Sequence, residues 1–132
     1  MRTQVIQNNN LSIRHILYGN TVLSGVSGVL FLLASRQISA FLGLDAQWVM
    51  VDLGLVMIAY AALLYFNASR PSISPGFVLF TVIADSLWVA ASILLLLTGW
   101  VPFSVEGKWA VGISAMIVDI FATLQFLAWR KM

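Results

Sequence analysis

The chain has no cysteine, one histidine and very little charge: Asp, Glu, Lys and Arg together make up 9% of its 132 residues. Without cysteine there is no disulfide, thiolate nucleophile, iron–sulfur ligand or zinc–thiolate site. A lone histidine, His15, leaves a conventional histidine metal site short of ligands. Soluble domains carry about 25% charged residues, so this surface does not suit water. The net charge of +2 rests on seven basic and five acidic groups, too few for a nucleic-acid-binding face. No glycine-rich phosphate loop, serine–histidine pair or paired carboxylates open to substrate are present. No enzymatic activity, cofactor or metal is therefore expected.

What is present is apolar. Hydrophobic residues make up 61% of the chain, and the mean hydropathy is +0.95. They fall into four runs, Ile16–Ala34, Trp48–Phe66, Phe77–Thr98 and Trp109–Ala128. Runs of about twenty residues at 1.5 Å each cross a hydrocarbon core of about 30 Å. Helix is the expected conformation, because an open strand would leave its backbone unpaired in lipid. Leucine runs such as 94–97 also lack the period-two alternation of a membrane barrel. The expected fold is an all-α integral membrane protein: a polar lead over 1–15, then one four-helix transmembrane bundle over 16–132. The first run is longer than a signal-peptide core of about 7–15 residues, and Arg36 rather than a small-x-small cleavage site follows it. It reads as a retained span.

Prolines and glycine in Arg70-Pro71-Ser72-Ile73-Ser74-Pro75-Gly76 stop one helix and prepare the next, and Gly99-Trp100-Val101-Pro102 ends the third span. The connection from Ser35 to Gln47 is unusual in holding Ile38, Phe41, Leu42 and Leu44. It is either a short amphipathic segment in the interface or a continuation of the first helix. Arg2, Arg14, Arg70, Arg130 and Lys131 fall on one side, against Arg36 and Lys108 on the other. That asymmetry predicts both termini in the cytoplasm. Trp48, Trp100 and Trp109 would form an outer aromatic belt, with Tyr18, Tyr65 and Trp129 in an inner one. Thr21-Val22-Leu23 recurs as Thr81-Val82-Ile83, and Trp48 as Trp109, a pattern that two tandem helical hairpins would produce.

Three spans carry one aspartate each: Asp52, Asp85 and Asp119. A carboxylate in hydrocarbon costs at least about 2.5 kcal/mol, so it must be paired, protonated or wet. Helical spacing puts Asn20, Ser24 and Ser27 on one stripe, Thr81, Asp85, Trp88 and Ser92 on a second, and Gly112, Ala115, Asp119 and Thr123 on a third. Asp85 and Asp119 lie roughly 12–15 Å deep from opposite sides and are expected as neighbours near the midplane. Asp52 lies about 6 Å from the outer surface, an interfacial polar residue within reach of water. Two readings of the pair stand: a polar network with Asn20, Ser24, Thr81 and Trp88 that fixes helix register, or a site that handles protons or cations. Ser24, Gly28, Gly112 and Ala115 are candidate helix-packing positions. Gln125 is deep enough to need a partner, for which another subunit is one source. Trp88 in mid-span is a candidate wall of a ligand pocket.

The stretch Ala84-Asp85-Ser86-Leu87-Trp88-Val89 with its leucine run and Gly99, the Arg70-Pro71 connection and the arginine-capped tail resemble small uncharacterised four-helix bacterial inner-membrane proteins. The resemblance implies a bacterial cytoplasmic membrane and no activity. The foremost expectation is a non-enzymatic bundle acting in the bilayer as a homo-oligomer or accessory subunit of a larger membrane complex, with no nucleic-acid partner. The alternatives are a small proton- or cation-handling transporter or channel, and a lipid- or pigment-binding module around Trp88.

Overall fold

A computed structural model describes the backbone of residues 2–132 and the side chains of residues 13–132. Five helices follow one another: α1 (Arg2–Leu33), α2 (Ser35–Phe41), α3 (Gln47–Ala68), α4 (Pro75–Thr98) and α5 (Val105–Arg130). Four of them, α1 from Ile13 onward, α3, α4 and α5, are long and apolar enough to cross a membrane. The architecture is the all-α four-span bundle expected. From Arg2 onward the polar lead expected over 1–15 falls within the backbone of α1; its first residue, and the side chains of all but its last three residues, lie outside those described.

The ends of the helices follow from local chemistry. Pro75 opens α4 at its first turn, where its missing N–H costs nothing, and Gly99 closes it in the left-handed region at φ 68°. Ser104 caps α5, its Oγ accepting from the Gly107 N–H at 2.9 Å, with Glu106 favourably placed in the first turn. Arg14 finishes α3 from a distance: its guanidinium donates to the carbonyls of Ala68 at 2.6 Å, Arg70 at 2.7 Å and Pro71 at 3.3 Å. Those carbonyls have no partner within the helix, so a cation there is doubly favoured.

The connection after α1 is its own helix, α2, set off by a break at Ala34. Its buried face is polar: Ser35 accepts from Gln47 Nε2, and Ser39 bridges the Leu44 carbonyl and the Ala46 N–H, while Phe41 is exposed. The segment is a short helix of its own, with hydroxyls turned in to close the turn and Phe41 turned out.

The bundle consists of two antiparallel hairpins, α1 on α3 and α4 on α5, with α1 also touching α5. Gly28 and Gly54 form the tightest crossing, where a Cβ on either would come within 2.9 Å of the other's carbonyl oxygen. Small residues let backbones approach in lipid, where packing rather than hydrophobic burial drives association. Gly25 packs on Ala61 nearby, at 3.6 Å from a Cβ it would carry. One packing expectation needs correcting: a Cβ on Gly112 would meet nothing within 4 Å. Ala115 is buried as expected. The end of the bundle where α1 enters and α5 finishes is filled by Ile13, Leu17, Leu64, Ala68, Ile73 and Val78, with Trp129 packed against them. Trp48, Trp100 and Trp109 lie exposed at the other end.

Candidate functional site

All four long helices contribute polar side chains to a single cluster, α1 two of them and the others one each. Asp85 of α4 is its centre and is 5% exposed. Its Oδ2 accepts from Asn20 Nδ2 of α1 and from Gln125 Nε2 of α5, both at 2.9 Å. Its Oδ1 accepts from the Tyr60 hydroxyl of α3 at 3.0 Å. Asn20 Nδ2 also donates to Gln125 Oε1 at 2.9 Å, and Ser24 Oγ donates to Asn20 Oδ1 at 3.2 Å. The amides thus bond to one another as well as to the carboxyl, and no polar atom of the cluster is left over.

Depth explains why these four meet. Asn20 lies seven residues past Ile13, Tyr60 eight before Ala68, Asp85 ten after Pro75 and Gln125 five before Arg130. At 1.5 Å per residue all fall about 8–15 Å from the same end of the bundle. Each of the three groups bonded to Asp85 is uncharged, so they replace the lost water without supplying a counter-charge.

Above the cluster the helices separate around a cavity of about 640 Å³ walled by α1, α3, α4 and α5. The wall is mainly apolar, with Ser24, Ser27 and Ser114 as scattered hydroxyls and Asp85 at its polar end. Three aromatic side chains, Tyr60, Phe80 and Trp88, contribute to it. Among the described residues no lysine, arginine or histidine lines it. Trp88 lies three residues from Asp85 on the same helix, and its Nε1 is buried without a hydrogen-bond partner. Val56 and Phe80 line the cavity while being exposed, so it communicates with the surroundings of the bundle.

The expected pairing of Asp85 with Asp119 does not occur. Asp119 is exposed on the outer face of α5 between Met116 and Ile120, which are 68% and 57% exposed. Residue 119 lies only about 40° around α5 from the buried Ala115 but about 120° from Gln125, so helical phase separates it from the cluster. Asp52 is exposed on α3, as an interfacial residue would be. Thr81 is buried but bonds only to the Val78 carbonyl of its own helix at 2.7 Å, and so stands outside the cluster. Asn20, Ser24 and Asp85 come together; Trp88 joins them through the cavity wall. Tyr60 was not anticipated. Its signal was depth, since it is the polar group of α3 level with Asn20. No family model, curated protein or solved structure matches the chain.

Proposed function

We propose that this protein binds an amphipathic small molecule within the bilayer, its apolar body in the cavity and its polar group at the Asp85 cluster. The observation that carries this reading is the cavity of about 640 Å³ directly above a four-helix polar network. A network that served only to fix helix register would need no space beside it, and interiors otherwise pack close to crystal density. A mostly apolar wall with a few convergent polar groups, enclosing about 300–1,000 Å³, is how small-molecule sites are built. The unpartnered Trp88 Nε1 offers a donor to an occupant. A route for protons or ions through the bundle finds less support, because the apolar core around Leu17, Leu64 and Val78 fills the end beyond the cluster. The test is mass spectrometry of what the protein retains after purification in mild detergent. Wild type is expected to keep a discrete molecule that Ala84→Phe, which fills the cavity, loses. Equal retention by both proteins sinks the reading.

A second reading, association of two copies, is favoured by Asp119. It is exposed in the middle of a span, without a hydrogen-bond partner among the described residues, where lipid would leave a carboxyl costing at least about 2.5 kcal/mol. Thr123 lies one turn away and is also exposed. A two-fold contact of α5 on α5 would offer each carboxyl the other copy's hydroxyl. Because the chain lacks cysteine, Met116→Cys in native membranes is a clean cross-linking probe. A disulfide dimer is expected at this position and not with Leu97→Cys on α4; equal yields from both would mean random collision.

A further inference from the structure

We infer that the occupant of the cavity is a lipophilic organic cation, an alkyl- or aryl-ammonium whose charge sits beside Asp85 and among the rings of Tyr60, Phe80 and Trp88. This rests on the cavity being a ligand site, and it names the class of ligand. Charge complementarity carries it. Asp85 meets only the uncharged donors Asn20, Tyr60 and Gln125, and among the described residues the wall holds no basic group. An anion such as a fatty acid would face this carboxyl with no compensating cation. Aromatic faces attract cations, tryptophan most strongly, and three of them share the wall with the carboxyl. A carboxylate with several rings and an apolar enclosure is the chemistry that holds an ammonium group while burying its hydrocarbon.

A bare metal ion does not fit the same place. Calcium and magnesium need about six or more oxygen ligands at fixed distance, and among the described residues no group of three or more metal-ligating side chains is assembled. An organic cation spreads its charge over carbon and needs no such shell. The exposed Val56 and Phe80 on the wall give such a molecule entry from the bilayer, where lipophilic cations concentrate.

The experiment is calorimetric titration of the protein in nanodiscs of zwitterionic lipid, with empty discs subtracted. The probes are a phenylbutyl-trimethylammonium salt and its neutral isostere, in which a tert-butyl group replaces the ammonium. Wild type is expected to bind the cation at least about tenfold more tightly than the isostere. In Asp85→Asn that ratio should fall to about one with the affinity for the isostere unchanged, which also shows that the variant is folded. Trp88→Leu should reduce the ratio about threefold or more. Equal binding of both probes by wild type, or a ratio that survives Asp85→Asn, overturns the assignment of the cation while leaving the cavity a ligand site. Failure of wild type to bind either probe removes both.

Discussion

Asn20 is the residue on which the buried cluster depends, because its amide bonds both Asp85 and Gln125 and accepts from Ser24. Replacing it with leucine orphans Gln125 Oε1, takes one of two donors from Asp85 Oδ2 and removes the acceptor of the Ser24 hydroxyl. An orphaned buried acceptor costs about 1–3 kcal/mol, and the other lost bonds add to it. Tyr60→Phe removes one hydrogen bond and keeps the ring, and interhelical bonds of this kind average about 0.6 kcal/mol with a maximum near 1.7. Asn20→Leu is therefore expected to lower unfolding free energy in mixed detergent micelles by about 2–4 kcal/mol, and Tyr60→Phe by less than half of that. Equal losses would mean that the cluster is not organised around Asn20. At this scale the sequence was partly legible. Asp85 drew notice because an aspartate in a leucine-rich span needs a reason, and Asn20 and Ser24 because they share its stripe chemistry. Gln125 is deep enough to need a partner, with another subunit as one source; the structure supplies Asn20 and Asp85 of the same chain, which a sequence does not show because it gives depth and helical phase only within one helix.

Among the elements, the α1–α3 contact and the closure of α3 carry separate predictions. At Gly28 an added Cβ would lie 2.8 Å from Ile58 Cγ1 and 2.9 Å from the Gly54 carbonyl, so the helices must part. Gly28→Val is expected to destabilise by about 2–3 kcal/mol, in the upper range for overpacking. Gly112→Ala has open space around it, and the better helix propensity of alanine should leave stability equal or slightly raised. Thermal unfolding in the same detergent compares the two; a larger loss at Gly112 would contradict the packing described. Arg14→Ala should cost about 1–2 kcal/mol by uncapping α3, with Arg14→Lys recovering only part of it, because an ammonium lacks the fork that reaches three carbonyls. Charge counting gave Arg14 a role in orientation. Its capping role was hidden because the carbonyls it meets lie more than fifty residues away in sequence.

For the whole molecule, the contrast is between a filled end and a cavity in the other half. Ile13, Leu17 and Leu64 are fully buried at one end, whereas Ser27 and Ser114 line open space. In a chain with no cysteine of its own, Ser27→Cys should react with a membrane-permeant maleimide and Leu17→Cys should not. Comparable labelling of the two would mean that the cavity is not accessible. A ligand held in the cavity should protect Ser27→Cys without affecting an exposed control such as Leu97→Cys.

The amino-acid order alone determined the class of the protein: four apolar runs of spanning length leave helices as the only backbone that satisfies its own hydrogen bonds in lipid. It also determined the breaks, since Pro75, Gly99 and Ser104 act on their own neighbours. Which polar residues meet was decided by tertiary structure. Asp85 and Asp119 have similar depth and similar surroundings in sequence, yet one is buried among three donors and the other faces outward. The difference lies in how each helix is rotated about its axis, and that rotation is set by contacts such as Gly28 on Gly54 and by the mutual satisfaction of Asn20, Tyr60, Asp85 and Gln125. The cavity belongs to the same level, because empty space is a property of the arrangement of helices and of no single segment.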